Sequence, residues 1–354
     1  MSRILVTGAG GFIGGRLARE ATRRDHEVRS IIASPRASLP AGEIFLGRLP
    51  WQIPFQSLHG VETVIHCARA SDPALDGAAL DHLIRLTRAA GTKKIILLTS
   101  HASAAGGESL WHRWERDAEG RVQDSGLAWT ILRAGPVYGA APNGSFGRLC
   151  RAVRALPAMP RLEHHSGDGI QPLHVDDLVE AILKCIPPGA WDNKACNLGH
   201  SEPVPLRRFL GYVAKGARRR KPLPVDVPLG PVLQALEAAK AFGLKINTDL
   251  GEIQALEAYR RVETTPWMRE FQLPERNLPF EVAQAAGAEE RAPQRRAARI
   301  LLVGAGRAGL SHALTLLHSE EALLCGVVDP STRAVTLFKS VGIEAPSFAD
   351  LEQA

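Results

Sequence analysis

The first residues whose types and spacing could do chemistry form a glycine-rich segment, TGAGGFIG, at residues 7–14. A pyrophosphate can reach the backbone N–H groups of a helix N-terminus only where no Cβ blocks it, and the helix dipole favours negative charge there. Gly8 and Gly11 leave the backbone bare, and Gly14 lets the helix pack closely on the preceding strand. The alternative is a structural turn that binds nothing. The predicted ligand-binding residues of this loop are Gly8, Gly10, Gly11, Phe12, Ile13 and Gly14.

A second glycine loop contains Gly304, Gly306 and Gly309, and its glycines are two and then three residues apart. Asp329 lies 25 residues after Gly304, at the end of the next apolar run. A carboxylate at that point accepts hydrogen bonds from ribose hydroxyls and repels a 2′-phosphate, so this loop is predicted to prefer NAD. The alternative is that Asp329 only starts a turn with Pro330.

The first loop lacks such an acid. The corresponding strand end, residues 31–36, carries no carboxylate, but it does carry Arg36. An arginine there can pair with a 2′-phosphate, so NADP is slightly favoured over NAD as the cofactor of the first loop. The alternative is an ordinary surface arginine.

Both loops need a strand before them and a helix after them, and the N-terminal half alternates such elements. Repeated strand–helix–strand units predict an α/β fold, a Rossmann doubly wound parallel sheet with helices on both faces. The candidate strands are Arg3–Thr7, Val28–Ile32, Glu43–Leu46, Thr63–Cys67, Lys94–Thr99 and Thr130–Arg133.

The rest of the chain divides into three parts. Residues from about 140 to 276 are rich in Gly and Pro and carry amphipathic helices, which predicts a small C-terminal substrate lobe within a domain of residues 1–276. The predicted helices of the lobe are Val175–Ile186, Leu206–Lys215 and Gly230–Phe242. Residues 277–298 are predicted to be a linker. Residues 299–354 begin a second Rossmann unit with strands at Leu323–Asp329 and near Ile343, too short for a whole domain, so the chain is predicted to be a fragment of a fusion protein.

Composition excludes several classes of protein. With 45% hydrophobic and 23% charged residues, the chain of 354 residues is not a disordered or fibrous one. It has no apolar run of 18 residues and no signal-peptide pattern, so no membrane association is expected. Five scattered cysteines without CxxC indicate reduced thiols and a cytoplasmic protein. The net charge of +6 suits phosphate-bearing ligands, and no nucleic-acid motif is present.

Residues 1–276 resemble the extended or atypical short-chain dehydrogenase/reductase family, the NAD-dependent epimerase/dehydratase group. The resemblance implies that His66, Cys67 and Ala68 line the cofactor cleft and that Gly135 and Val137 lie near the nicotinamide. It also implies a homodimer and a small-molecule substrate, a nucleotide sugar or a related carbonyl compound in carbohydrate or polysaccharide metabolism. The matching segments are TGAGGFIG at 7–14, GVETVIHCA at 60–68, KKIILLTS at 93–100, WTILRAGPVYG at 129–139, LHVDDLVEAI at 173–182 and NLG at 197–199.

The sequence departs from that family at the residues that transfer the proton. The family uses a Ser or Thr with a Tyr-x-x-x-Lys pair, in which the ammonium lowers the pKa of the tyrosine. Alignment places Trp111 at the tyrosine position and Glu115 at the lysine position. The remaining catalytic candidates are Ser100, His101 and Ser103, with His112 as a second imidazole. Two interpretations therefore stay open: an active enzyme, or a non-catalytic cofactor-binding module that supports a fused oxidoreductase.

Asp176 or Asp177 is expected to cap the N-terminus of a helix. The pair His164 and His165 has no third ligand at a telling spacing, so no metal site is predicted. Residues 299–354 resemble the start of the family of glucose-fructose oxidoreductase and inositol dehydrogenase, whose catalytic Lys-Pro motif would fall beyond Ala354.

Overall fold

The computed structural model describes residues 1–33, 41–47, 52–69, 73–104, 110–140, 144–155, 158–160, 169–217, 223–225, 261–291, 298–306, 309–313, 322–331, 336, 346–350 and 352–353. The chain divides into two compact units, one within residues 1–292 and one within residues 293–354. The predicted helix Gly230–Phe242, the predicted third strand near Ile343, Arg36 and the pair His164 and His165 lie outside the described residues.

The first unit is built on a parallel sheet of seven strands. Six of its strands are consecutive in the chain: β1 Arg3–Thr7, β2 Glu27–Ile32, β3 Glu43–Leu46, β4 Thr63–His66, β5 Lys94–Ser100 and β6 Ala128–Ala134. The seventh is β10, Lys194–Leu198, because strands β7 to β9 lie elsewhere in the first unit. All six strands predicted from the sequence are present, and the predicted doubly wound α/β fold is confirmed. The strand order is β10-β6-β5-β4-β1-β2-β3, and every neighbouring pair is parallel.

This order fixes where a ligand can bind. From β1 the chain runs outward through β2 to β3 and then returns to place β4 on the other side of β1. At such a reversal the loops after β1 and β4 leave the sheet in opposite directions and open a crevice at its carboxyl edge. The glycine loop at residues 8–14 follows β1 at that crevice.

Helices cover both faces of the sheet. On one face, α1 (Phe12–Arg23) packs against α6 (Val175–Cys185), and buried residues such as Leu17, Ala21 and Ile182 meet strand residues such as Ile4. On the other face, α2 (Pro73–Ala89) packs against α4 (Leu110–Gln123), above Leu5 of β1. The alternation of Ile4 and Leu5 between the two faces is the period of two that a strand requires. The short helix α3 (His101–Ala104) lies between β5 and α4.

A smaller lobe follows the sheet. Two pairs of short parallel strands belong to it, β7 (Val137–Tyr138) with β9 (Leu173–His174) and β8 (Ala158–Pro160) with β11 (Leu223–Val225). Its own hydrophobic core includes Tyr138, Phe146, Phe209 and Val282. Its helices are α5 (Ser145–Ala155), α7 (Leu206–Gly216), α8 (Thr265–Glu270) and α9 (Leu278–Arg291).

The predicted linker at residues 277–298 is wrong over most of its length. Residues 278–291 form α9, which packs against α7 inside the first unit. Leu278, Val282, Ala285 and Ala286 follow a helical spacing and are buried in the core of the lobe. The apolar spacing that fixes this helix was visible in the sequence, although alanines among charged residues made it weak.

The second unit contains a parallel sheet of three strands, β12 (Ala298–Val303), β13 (Ala322–Val328) and β14 (Ser347–Phe348). Ala305, Ala313 and Val327 form its small core. The second glycine loop follows β12, as the sequence predicted. In the part of the chain that the structure describes, no helix is both long and apolar enough to cross a membrane.

We expect Gly211→Ala to stabilise the first unit. Gly211 is exposed inside α7, and a Cβ there would meet nothing within 4 Å. Since glycine costs more backbone entropy than alanine in a helix, the free energy of unfolding should rise by about 0.5–1 kcal/mol. Urea denaturation of the two proteins measures this, and a loss of stability would contradict the assigned helix.

Candidate cofactor and active site

The loop after β1 is shaped by close contacts between backbone atoms. Gly8 has a φ of +68°, and a Cβ on it would lie 2.8 Å from Cα and N of Ala68. A Cβ on Gly14 would lie 2.4 Å from the carbonyl oxygen of Gly8. The Gly11 N–H donates to that same Gly8 carbonyl at 2.9 Å. Only glycine fits at positions 8 and 14, where a Cβ would overlap backbone atoms of the loop and of Ala68.

The N-terminus of α1 is open to an anion. Gly11 is its capping residue, and no described side chain accepts a hydrogen bond from its first backbone N–H groups. The first turn also carries no acidic residue. Phe12 and Ile13, in that turn, are partly buried against the core of the sheet. The free N–H groups and the positive end of the helix dipole thus form a ready site for a diphosphate.

The end of β4 is tied to the end of β1. Thr7 Oγ1 and His66 Nδ1 lie 2.8 Å apart, and the Ala68 N–H donates to Thr7 Oγ1 at 3.3 Å. Burial, together with the nearby Arg69, lowers the pKa of His66 to about 4, so the ring is neutral at pH 7. Burial raises the pKa of the Cys67 thiol to about 12, so it is not a nucleophile. These residues position the glycine loop rather than exchange protons.

Glu115, which the sequence alignment predicts at the lysine position, is hydrogen-bonded at the end of β5. Its side chain is only 2% exposed. One carboxylate oxygen accepts from the Ser100 hydroxyl at 2.6 Å and from the Ser100 backbone N–H at 3.3 Å. The other oxygen forms an ion pair with the guanidinium of Arg69, which lies 5.0 Å from the centre of the Trp114 ring. A carboxylate held by a cation and a hydroxyl therefore stands where the family has an ammonium.

His101 does not have the properties of a proton donor. It is completely buried, and its Nε2 donates to the Leu198 carbonyl at 2.9 Å. Burial, together with the charge of Arg133, lowers the pKa of His101 to about 4. The Ser103 hydroxyl donates to the Ser100 carbonyl at 2.9 Å, which ties α3 to β5. Trp111, at the tyrosine position of the alignment, and His112 lie in the first turn of α4, and the role of His112 as a proton donor stays a prediction.

A second buried carboxylate lies one helical turn after Glu115, and the sequence analysis missed it. Glu119 accepts from the Thr99 hydroxyl at 2.8 Å and from Arg133 Nε at 3.0 Å. The two carboxylates share one face of α4 and bind consecutive hydroxyls of β5. Their spacing of four residues on a helix was the available signal.

The end of β6 needs a glycine for a different reason. A Cβ on Gly135 would lie 1.8 Å from the Gln171 carbonyl oxygen, and the Gly135 N–H donates to the Leu198 carbonyl at 2.8 Å. Val137 pairs with Leu173 in the short sheet of the lobe. Both residues therefore join the sheet to the lobe beside His101, whose ring atom Cε1 would lie 3.2 Å from that Cβ. Their predicted contact with the nicotinamide stays a prediction.

The structure corrects the expected capping role of Asp176 and Asp177. The side chain of His174 caps α6 by accepting from the Asp176 N–H at 3.2 Å. Asp176 instead pairs with Arg16, and Asp177 accepts two hydrogen bonds of 2.7 Å from Arg276. The two acids therefore tie α6 to α1 and to the segment before α9.

In the second unit, Asp329 binds its own glycine loop. One carboxylate oxygen accepts from the Ala305 N–H at 2.6 Å and the other from the Ser331 N–H at 2.8 Å, and these bonds lower the pKa of Asp329. Gly304 has a φ of +94°. A Cβ on Gly309 would lie 1.9 Å from the carbonyl oxygen of Gly304. The Leu310 N–H donates to the Gly306 carbonyl at 2.8 Å, and residues 309–313 are helical. Asp329 thus holds both the glycine loop and the turn at Ser331, and the predicted binding of NAD by this loop stays a prediction.

Comparisons with known proteins agree with this geometry. Residues 8–147 match the protein family described as NAD(P)H-binding. An uncharacterized protein of Mycobacterium tuberculosis is 24% identical over 262 residues, which are 72% of this chain and 27% of that protein. The chain thus spans about a quarter of that relative's length. The dTDP-4-dehydro-6-deoxy-D-allose reductase of a Streptomyces species is 25% identical over 289 residues, covering 65% of this chain and 85% of the reductase.

Solved structures share the fold. A complex of UDP-glucose 4-epimerase from Thermus thermophilus with NAD has a TM-score of 0.59 at 20% identity, covering 82% of this chain and 99% of the epimerase. The structure of UDP-glucose 4-epimerase from Thermotoga maritima with UDP-glucose has a TM-score of 0.55 at 17% identity. This match covers 82% of this chain and 99% of that epimerase.

The fold and the glycine loop define a Rossmann-type domain, and residues 8–147 of it are similar to the NAD(P)H-binding family. Its structural neighbours include a UDP-galactose 4-epimerase and a protein of the short-chain dehydrogenase/reductase superfamily with bound NAD.

Proposed function

We propose that the first unit is an NAD(P)-dependent epimerase, dehydratase or reductase that acts on a nucleotide sugar or a related carbonyl compound. The observation that carries the proposal is the uncapped N-terminus of α1 at the crevice between β1 and β4. A dinucleotide bound there would extend its nicotinamide towards the ends of β4, β5 and β6. The hydroxyl of Ser100 and the carboxylate of Glu115 lie at that edge.

The choice of substrate class is supported by the relatives. The Streptomyces reductase, named for a dTDP-deoxysugar, aligns with this chain over 85% of its own length. The Thermotoga epimerase was solved with UDP-glucose. A nucleotide sugar would add a second diphosphate, which suits the net charge of +6.

Two finer assignments belong to the same proposal. The first unit would favour NADP, because Arg36 can pair with a 2′-phosphate and no acid follows β2. The second unit would begin a domain like those of glucose-fructose oxidoreductase and inositol dehydrogenase, and it would bind NAD through Gly304, Gly306, Gly309 and Asp329. The chain would then be part of a fused protein in carbohydrate or polysaccharide metabolism.

An assay of the full chain tests the proposed reaction. The protein is mixed with NAD+, NADH, NADP+ or NADPH and a panel of UDP- and dTDP-sugars, and the products are separated by anion-exchange chromatography. Formation of an epimerised, dehydrated or reduced sugar is the expected result. Cofactor binding without conversion of any sugar in the panel would count against an enzyme and for the second candidate.

The second candidate is a non-catalytic module that binds the cofactor and supports a fused oxidoreductase. The observation that favours it is the absence of the family's tyrosine and lysine, with Glu115 held by Arg69 and Ser100 in place of the ammonium. His101, neutral and bonded to a backbone carbonyl, does not replace them. Turnover that is lost in His101→Ala, with cofactor binding retained, would instead favour a histidine-based enzyme.

A further inference from the structure

We infer that the ion pair of Arg69 and Glu115 sets the preference of the first unit between the oxidised and the reduced nicotinamide cofactor. The inference rests on the cofactor-binding part of the proposed function and does not require turnover. The charges of the two residues have opposite effects on the binding of the oxidised nicotinamide ring.

The location of the pair follows from the topology. In a doubly wound sheet the adenosine lies over the end of the second strand and the diphosphate over the glycine loop. The other half of the dinucleotide must then extend across β4 towards β5. Arg69 comes directly after Ala68, whose backbone contacts the glycine loop at Gly8. Glu115 binds the last residue of β5, Ser100. The pair therefore spans the edge over which the nicotinamide half would lie.

The two side chains are held in place. Glu115 is 2% exposed and accepts hydrogen bonds from the hydroxyl and the N–H of Ser100. The guanidinium of Arg69 lies over the ring of Trp114 and is 40% exposed. A buried, fixed charge interacts more strongly with a nearby ligand charge than a mobile one does in water. Glu115 is such a buried charge, whereas the charge of Arg69 is partly screened by water.

The sign of each effect follows from the charge of the ring. Oxidised nicotinamide carries one positive charge and reduced nicotinamide carries none, while the diphosphate is the same in both forms. The carboxylate of Glu115 favours the oxidised form, and the guanidinium of Arg69 disfavours it. The ratio of the two dissociation constants isolates this effect, because contributions from the rest of the cofactor cancel.

The experiment measures Kd for NAD+, NADH, NADP+ and NADPH by isothermal titration calorimetry on the full chain. Arg69→Gln leaves the carboxylate alone, and the ratio of oxidised to reduced Kd should fall by about fivefold to tenfold. Glu115→Gln leaves the guanidinium alone, and the ratio should rise, by a smaller factor because Arg69 is 40% exposed. The double variant Arg69→Gln/Glu115→Gln should return the ratio to within about twofold of the original.

Glu119→Gln is the matched control. Glu119 occupies the same face of α4, is equally buried and also pairs a hydroxyl with an arginine, but it is one turn farther along the helix. The ratio of oxidised to reduced Kd for Glu119→Gln should stay within about twofold of the ratio for the unaltered chain. Thermal unfolding of each variant checks that the fold is kept.

The outcomes are distinct. Shifts in opposite directions support the inference whether or not a sugar is turned over. Binding with an unmoved ratio in both single variants, shifts in the same direction, or an equal shift in Glu119→Gln overturns the inference and leaves the proposed function standing. If the unaltered chain binds none of the four cofactors, the proposed function fails and the inference fails with it.

Discussion

Gly14→Ala is expected to weaken NADPH binding by about a hundredfold or more, the largest effect of any single change considered for the first unit. The new Cβ would lie 2.4 Å from the oxygen and 2.8 Å from the carbon of the Gly8 carbonyl. These are backbone atoms, so no side chain can move aside and the loop itself must shift. A shift of the loop moves the N–H groups that would bind the diphosphate and also costs about 1–3 kcal/mol of stability.

Fluorescence transfer from tryptophan to NADPH, together with calorimetry, measures this effect. Gly120→Ala is the control, since Gly120 lies within α4 and a Cβ there would meet nothing within 4 Å. That variant should bind NADPH like the unaltered chain. Undiminished binding by Gly14→Ala would show that the cofactor does not depend on the loop after β1.

Acidification should destabilise the first unit by several kcal/mol between pH 6.5 and pH 4. His66 and His101 are buried, and burial lowers the pKa of each from 6.5 to about 4. In this window the unfolded chain binds a proton at each ring and the folded chain does not, so stability falls as the pH falls. The full stability is present above pH 6.5. Each histidine should contribute about 3 kcal/mol to the loss.

Urea denaturation at pH 7 and at pH 4.5 measures the slope of stability against pH. His101→Gln removes one titrating ring and should remove about half of the loss. His26→Gln is the control, because His26 precedes β2 and is only partly buried. An unchanged slope in His101→Gln would mean that His101 is accessible to protons in the folded state, and a role for it in proton transfer would gain support.

The sheet could be predicted from the sequence because each of its inner strands is a continuous apolar run between turn residues. The strand Lys194–Leu198 was missed, since a mixture of Lys, Cys and Asn shows neither alternation nor an apolar run. It becomes a strand because it pairs with β6 at the edge of the sheet. Helix α9 was missed for a related reason, because its stability depends on α7, which lies about 70 residues earlier in the chain.

The cofactor loop was predictable because its chemistry is local, and Gly8 to Gly14 carry both the turn and the binding groups. The proton-transfer site could not be predicted in this way, because its side chains come from distant parts of the chain. The sequence shows that Glu115 is not a lysine, but the partner of Glu115 is Arg69, 46 residues away, and only the fold brings the two together. Likewise, the sequence shows His101 beside two serines but does not show that the ring is buried against Leu198. Burial decides the protonation state, and burial is a property of the whole sheet.

A crystal structure of the full chain grown with saturating NADPH or NADH tests the central claim most directly. The account predicts cofactor phosphate oxygens within hydrogen-bonding distance of backbone N–H groups of residues 8–14. A cleft filled by the protein's own side chains, or a cofactor bound elsewhere on the first unit, would contradict it.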